Sequence, residues 1–178
     1  EEALAWYDHW LKGRDTGILD GDPVRYALPG EPGWPAAPSW PPAAAHHAFA
    51  LRADGVLDTD EGDSGAREFM TLGAGTGRVK AGAIDPPASL TWTSNPLPDD
   101  LDMVGEIELR MIASATAADT AWILTLQDVA PDGQVTDVTA GWLRAGLRTV
   151  DEVASAPGAP VLPCRTPVAV PIGVDVEY

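Results

Sequence analysis

The first residues of the chain carry apolar side chains with a helical period. Five of them are spaced by three, four, seven and eight positions, which places them on one face of a helix over residues 3 to 12: Ala3, Trp6, Tyr7, Trp10 and Leu11. Two glutamates suit the start of this helix dipole, and the Lys-Gly pair at 12 and 13 suits its end. No other stretch repeats this period. The two tryptophans must therefore pack either on a sheet or on a module outside this sequence.

After the helix the pattern changes to alternation of apolar and polar positions, the period of a β-strand. Turns rich in Gly, Pro and Asp separate six such stretches, which span residues 24–28, 47–51, 90–92, 105–115, 121–129 and 167–178. Strands that follow one another without helices between them predict a mainly β fold with an antiparallel sandwich. Pro171 lies inside the last stretch, so that strand is expected at a sheet edge or broken there.

The clearest local pattern is a hairpin over residues 121–145. Pro131-Asp132-Gly133 provides a turn between two strand-like runs. On the first strand, Trp122, Leu124 and Leu126 share one face. We expect Leu124 and Leu126 to face the core, together with Trp142 from the second strand.

The aspartates of this hairpin invite comparison with a calcium-binding loop. A loop that starts at Asp128 places Asp132 and Gly133 correctly. However, Ala130 has no side-chain oxygen for the third position of the loop, and Thr139 replaces the bidentate carboxylate that the twelfth position needs. The pattern excludes a standard calcium loop and leaves a non-standard cation site open.

Two segments do not follow either period. Residues 29–42 hold six prolines together with Trp34 and Trp40, and they are expected to form no regular ladder. We favour a stiff loop that packs both tryptophans on the sandwich over a polyproline ligand for a partner domain. Residues 54–65 concentrate five acids, which indicates a solvated loop more than a cation site.

Composition and charge narrow the classes of partner. The 178 residues carry a net charge of −16, so neither nucleic acid nor an anionic membrane is an expected partner. Cys164 is the single cysteine, which excludes an internal disulfide and a cysteine zinc site. No apolar run is long enough to cross a bilayer, and the acidic amphipathic start differs from a signal peptide. We expect a cytoplasmic rather than a secreted protein.

Side chains for nucleophilic catalysis are present, but not in a catalytic pattern. None of the six serines lies in the G-x-S-x-G context of a nucleophile elbow. His9 falls on the polar side of the helix, and His46 and His47 are adjacent in a predicted strand, so they point to opposite faces. The glycine-rich stretch 72–80 lacks the G-K-[ST] ending of a phosphate loop and is interpreted as a connector. The chain is thus expected to contain no catalytic residues, no metal site and no cofactor.

Three stretches of the sequence resemble one known family. WYDHWLKGRDTGILDGDPVRYALPG, residues 6–30, is similar to the junction between the catalytic module and the C-terminal β-domain of X-Pro dipeptidyl-peptidase and cocaine-esterase-like serine hydrolases. Residues 32–57, PGWPAAPSWPPAAAHHAFALRADGVL, resemble the next element of that family. The most specific likeness extends from residue 90 to residue 148, where A-D-T, L-Q-D-V-A-P-D-G and G-W-L-R-A follow one another.

The resemblance implies a jelly-roll β-sandwich of the galactose-binding-domain-like type. Residues 1–14 would be the terminal helix of an α/β-hydrolase module, and residues 15–178 the sandwich, truncated at its C-terminal end. The Ser-Asp-His triad of the family would lie upstream, so no catalytic residue is carried over. Asp119 and Asp128 match family positions, and we interpret both as caps of local backbone N–H groups.

These observations favour a non-catalytic accessory domain of a serine hydrolase, an acyl esterase or X-Pro dipeptidyl-peptidase. Its expected partners are the α/β-hydrolase module of the same protein, through Trp6, Tyr7 and Trp10, and a second copy of the chain. Because a truncated sandwich exposes a sheet edge, the isolated chain should associate or be marginally stable. The alternative is a carbohydrate-binding module that uses Trp34 and Trp40 as its platform. A free-standing assembly protein is a weaker third hypothesis.

Overall fold

The computed structural model describes residues 1–70 and 89–178; the connector predicted at 72–80 lies outside them. Within these ranges the fold is mainly β, with one N-terminal helix. In chain order the elements are α1 (Glu2–Lys12), β1 (Val24–Arg25), β2 (Ala36–Ala37), β3 (Ala50–Leu51), β4 (Leu57–Asp58), β5 (Ile112–Ala113), β6 (Ala121–Val129), β7 (Val135–Arg144), a 3₁₀ turn (Ala145–Leu147) and β8 (Val176–Glu177). These strands form four antiparallel pairs, β1–β2, β3–β4, β5–β8 and β6–β7.

The chain divides into two compact units, Glu1–Val104 and Gly105–Tyr178. The first unit contains α1 and the pairs β1–β2 and β3–β4. The second contains the long hairpin β6–β7 and the pair β5–β8. No helix among the described residues has the length and apolar character needed to cross a membrane.

Helix α1 begins and ends where the sequence predicts. Glu2 lies in its first turn, and Lys12 in its last. Gly13 closes the helix in the left-handed conformation with φ 63°. Its N–H donates to the carbonyl of His9 at 3.1 Å, and the N–H of Arg14 donates to the carbonyl of Asp8 at 3.2 Å. These two bonds satisfy carbonyls at the end of the helix, and a glycine adopts the required φ without steric cost.

The strands of the first unit are shorter than predicted. The stretch 24–28 contributes only β1, and its partner β2 lies inside the proline-rich segment, which we expected to form no ladder. That expectation is wrong for one dipeptide, because Ala36 and Ala37 have N–H groups between Pro35 and Pro38. The stretch 90–92 forms no strand; next to it, Thr93 makes a single bridge to Val56.

The stretch 47–51 is reduced to β3, paired with β4 in a tight hairpin. The N–H of Arg52 donates to the carbonyl of Val56 at 3.0 Å across this turn. Pairing stops after Asp58, where the chain enters the acidic loop. There Asp58 and Asp60 accept N–H groups two residues ahead, at 3.4 and 3.1 Å, so local turns replace the ladder.

The hairpin of the second unit follows the prediction closely. β6 covers the predicted 121–129, and β7 returns after Pro131-Asp132-Gly133. The N–H of Ala130 donates to Gln134, and that of Gly133 to Ala130, both at 2.8 Å. Gly133 has φ 85°, a conformation that glycine adopts readily. A β-bulge interrupts the register between Leu126 and Gln127.

The two faces of this hairpin differ from the expectation at two residues, Leu124 and Trp142. Leu124 shares the face of Trp122 and Leu126 but is 40% exposed, because its cross-strand neighbour Gly141 has no side chain to cover it. Trp122 and Leu126 are half-buried, and the Trp122 ring meets Tyr178 edge-on at 5.3 Å, as expected for an inner face. Trp142 is exposed, so its predicted core position is wrong. It pairs with Ile123, and residues directly opposite on two strands share a face. Trp142 therefore lies on the outer face, away from Leu126.

The remaining predicted strands of the second unit are also short. Of 105–115 only β5 pairs, and of 167–178 only β8; the carbonyl of Tyr178 accepts from Met111 at 3.0 Å. Prolines at 167 and 171 and a left-handed Gly173 (φ 70°) interrupt the last stretch, so pairing begins only beyond them. The best-buried residues of this unit are Ala145 and Gly146, which lie in the 3₁₀ turn, and Val170.

Candidate functional site

The apolar face of α1 is exposed to solvent. Trp6, Tyr7 and Trp10, which the sequence assigns to an interface, are all exposed, and Leu11 beside them is 76% exposed. The rings of Trp6 and Trp10, one helical turn apart, meet at 5.7 Å with a tilt of 55°. Together with Leu4 these side chains form a continuous apolar surface, which we call the helix face.

The polar side of α1 is the side that packs on the chain. Ala5, Asp8 and His9 are half-buried, and the hydroxyl of Thr16 donates to the carbonyl of Ala5 at 3.0 Å. An amphipathic helix of a self-contained domain ordinarily buries its apolar stripe. Helix α1 does the reverse, which leaves the helix face free to pack against another surface.

Charge pairs stabilise the C-terminal end of α1. The ammonium of Lys12 donates to Asp8 Oδ1 at 2.5 Å, and the guanidinium of Arg14 donates to Asp8 Oδ2 at 3.0 Å. The hydrogen bond from Lys12 is the main cause that lowers the pKa of Asp8 below its ordinary value. The Asp8 carboxylate thus ties the last turn of α1 to the residue that follows Gly13.

Trp34 and Trp40, the predicted sugar platform, are each more than half exposed. The ring of Trp40 meets Tyr26 at 6.2 Å, inclined by 65°. The aromatic contact that the structure shows for Trp40 is therefore with Tyr26 of the first unit. A role in sugar binding stays a prediction.

The described serines and histidines make separate local contacts. His46 and His47 are exposed, and His9 packs edge-on against Trp10 at 5.1 Å. Ser155 donates to the carbonyl of Asp151 at 2.7 Å and accepts from the N–H of Val161 at 2.8 Å, so its hydroxyl closes a loop. Across residues 1–70 and 89–178, no hydrogen bond joins a serine to a histidine.

Two carboxylates of the acidic loop, residues 54–65, make local contacts. Asp54 and Asp58 both pair with the guanidinium of Arg52, at 3.0 and 3.6 Å. Asp54 also accepts the N–H of Val56 at 3.1 Å. The described part of the chain contains no cluster of three or more acids, histidines or cysteines with the geometry of a metal site.

Asp119 of the A-D-T motif (residues 118–120) joins the start of β6 to the end of β7. Asp119 Oδ1 accepts the N–H of Thr120 at 3.0 Å, the predicted capping role, and Oδ2 accepts the guanidinium of Arg144 at 2.6 Å. The hydrogen bond from Arg144 is the main cause that lowers the pKa of Asp119. At the hairpin turn the capping carboxylate is that of Asp132, which accepts the N–H of Gln134 at 2.9 Å; Asp128 was expected there.

Sequence reasoning missed the role of Arg148. Its guanidinium donates to the carbonyls of Ala145 at 3.0 Å and Ala169 at 3.1 Å, with a longer contact to Val168 at 3.4 Å. It also lies 5.9 Å from the centre of the Tyr178 ring. An arginine shortly after a long strand was the only signal, because two of its three carbonyl partners, Val168 and Ala169, lie 20 and 21 residues further along the chain.

The features above define a mainly β domain of antiparallel pairs with an N-terminal helix. Residues 16–172 match the family described as the X-Pro dipeptidyl-peptidase C-terminal non-catalytic domain. The chain belongs to this family, and the resemblance inferred from its motifs is confirmed.

Two mycobacterial proteins are similar to nearly the whole chain. Each is named "putative serine esterase", one from Mycobacterium bovis and one from Mycobacterium tuberculosis, and each is 34% identical over 183 aligned residues. The alignment covers 93% of this chain but only 29% of either relative. The chain thus spans less than a third of the curated relatives it matches. No solved structure matches the chain.

Proposed function

We propose that this chain is the non-catalytic accessory domain of a serine hydrolase of the acyl-esterase or X-Pro dipeptidyl-peptidase type. The observation that carries the proposal is the family match over residues 16–172, together with relatives that are named as serine esterases and extend far beyond the matched region. A jelly-roll β-sandwich of the galactose-binding type is the proposed full fold, and the long hairpin and the short antiparallel pairs are compatible with it.

The helix face is the proposed contact with the α/β-hydrolase module of the same polypeptide. The family match begins at residue 16, shortly after α1 ends at Lys12, which supports the assignment of residues 1–14 to the catalytic module. Burial of Trp6, Tyr7 and Trp10 would contribute about 1.5–3 kcal/mol for each side chain that becomes fully buried. That gain would account for aromatic residues on the exposed face of α1.

In this arrangement the chain helps to enclose the substrate or to form an oligomer contact, and it supplies no catalytic side chain. The nucleophile and its base belong to the catalytic module, and the β-domain forms part of the wall around the substrate or of an oligomer contact. A wall that excludes water strengthens the electrostatic interactions inside the pocket. The proposed substrates are acyl esters or X-Pro peptides, as the two branches of the family resemblance imply.

The test compares the whole polypeptide with this chain alone. The whole polypeptide should hydrolyse aryl esters or Ala-Pro p-nitroanilides, and a fluorophosphonate should label a serine outside residues 1–178. The chain alone should hydrolyse neither substrate. Turnover by the chain alone that a fluorophosphonate abolishes would refute the proposal.

Sugar binding is the alternative function, favoured by the exposure of Trp34 and Trp40. Stacking on sugars requires exposed and roughly coplanar aromatic rings, and the exposed fractions of 63% and 54% support the first of these requirements. A glycan array probed with the whole polypeptide separates the two proposals. Signals that disappear in Trp34→Ala and Trp40→Ala, but persist in Trp142→Ala, would establish the alternative, whereas a silent array would remove it.

A further inference from the structure

The hairpin β6–β7 has an outer face that differs from an ordinary solvated face. Ile123 and Trp142 lie directly opposite each other near its open end and are 78% and 79% exposed. Thr125 and Ala140, the next pair on the same face, add no charge. We call these four residues the hairpin face. A sheet face that meets water usually carries polar side chains, so an exposed Trp–Ile pair requires an explanation.

Polar pairs border the hairpin face at both ends. At one end Arg144 forms its 2.6 Å ion pair with Asp119. At the other end, Gln127 Nε2 donates to Asp137 Oδ1 at 2.8 Å across the two strands. An apolar centre with a tryptophan and a polar border is the usual anatomy of a protein–protein contact surface. The ion pair also neutralises Arg144, so the border offers no attraction for a nucleic acid.

We propose that the hairpin face is a second docking surface for the catalytic portion of the same polypeptide, with Trp142 as its central anchor. This inference rests on the proposed function. More than two thirds of each curated relative lies outside the region that this chain matches, which provides a partner held at high effective concentration. A second copy is disfavoured as the occupant, because two chains of net charge −16 repel each other.

Cysteine labelling in the whole polypeptide tests this docking surface. The variants Ile123→Cys, Ala140→Cys and the control Val153→Cys are prepared with Cys164→Ser, because Cys164 is an exposed free thiol. Val153 is 97% exposed and lies outside the hairpin. N-ethylmaleimide labelling is followed at peptide level by mass spectrometry, and each rate is divided by the rate in denaturant. Positions 123 and 140 carry side chains that are exposed within this chain, so the cysteines remove no buried contact inside it.

Protection of the hairpin face is the expected result. Normalised labelling at positions 123 and 140 should be at least about tenfold slower than at position 153, as for a surface that opens only in a minor population. Equal rates at 123, 140 and 153 would overturn the inference. Protection that disappears on dilution would also overturn it, because the occupant would then be a second copy.

A fourth variant, Leu11→Cys, separates this inference from the proposed function. Slow labelling at position 11 with fast labelling at positions 123 and 140 would leave the helix face docked and refute only the hairpin face. Fast labelling at all three positions would refute both docking surfaces.

Discussion

At the scale of single residues, Arg148 links segments of the second unit that are distant in sequence. Its planar guanidinium reaches the carbonyls of Ala145 and Ala169 together and lies over the ring of Tyr178. Ala145 is fully buried in the intact chain, so removal of the arginine takes away the donor of a carbonyl that is shielded from water. A lysine has a single charged nitrogen, so it cannot reproduce the paired hydrogen bonds that the planar guanidinium donates to these carbonyls.

We therefore expect Arg148→Ala to lower the free energy of unfolding of this chain by about 2 kcal/mol, within the range for hydrogen bonds to charged groups. Arg148→Lys should recover only part of this loss. The control is Arg165→Ala, since Arg165 is exposed and should change stability by no more than about 0.5 kcal/mol. Urea denaturation followed by tryptophan fluorescence measures all three variants. Equal stability of Arg148→Ala and Arg165→Ala would contradict the bridging role.

At the scale of elements, two glycines of the hairpin are expected to respond differently to an added side chain. Gly133 has φ 85° in the turn, a conformation that strains any side chain. Gly141 lies within β7 opposite Leu124, and a Cβ at this position would meet open space. Gly133→Ala should therefore destabilise the chain by about 1 kcal/mol, whereas Gly141→Ala should be neutral or slightly stabilising. Thermal unfolding of the two variants compares them directly, and an equal loss in both would show that the turn conformation is not limiting.

The same comparison of elements explains which predictions succeed. α1 and the β6–β7 hairpin are specified by neighbours in sequence: Gly13 ends the helix, and Pro131-Asp132-Gly133 sets the turn. The short strands depend on partners distant in sequence, and alternation alone does not reveal where a proline or a local aspartate cap ends the pairing. The face of Trp142 depends on cross-strand register, which the pattern of one strand does not contain.

The candidate surfaces were predictable to different degrees for the same reason. Helical spacing alone identifies the helix face, because Trp6 and Trp10 are one turn apart. The hairpin face requires the pairing of Ile123 with Trp142, and the role of Arg148 requires the positions of carbonyls at residues 168 and 169. Neither can be inferred before the register and the path of the chain are known.

At the scale of the whole molecule, exposed apolar side chains and a high net charge oppose each other. The helix face favours contact with another molecule, while a net charge of −16 keeps copies apart. Salt changes only the second effect, because the Debye length falls from about 10 Å at 0.1 M to about 3 Å at 1 M ionic strength. Ionic strength therefore distinguishes a chain that lacks association surfaces from one whose surfaces are masked by repulsion.

We expect the isolated chain to remain close to its monomer mass of 18.7 kDa at low salt and to associate as salt is raised, with its average mass rising at least about twofold. The double variant Leu4→Gln, Leu11→Gln should suppress this rise without loss of stability, because both side chains are exposed. Val153→Gln removes an equally accessible apolar side chain outside α1 and should associate like the unmodified chain. Light scattering coupled to size exclusion measures the masses. A monomer at every salt concentration would show that the helix face is not adhesive, and association unchanged in the double variant would place the contact elsewhere on the chain.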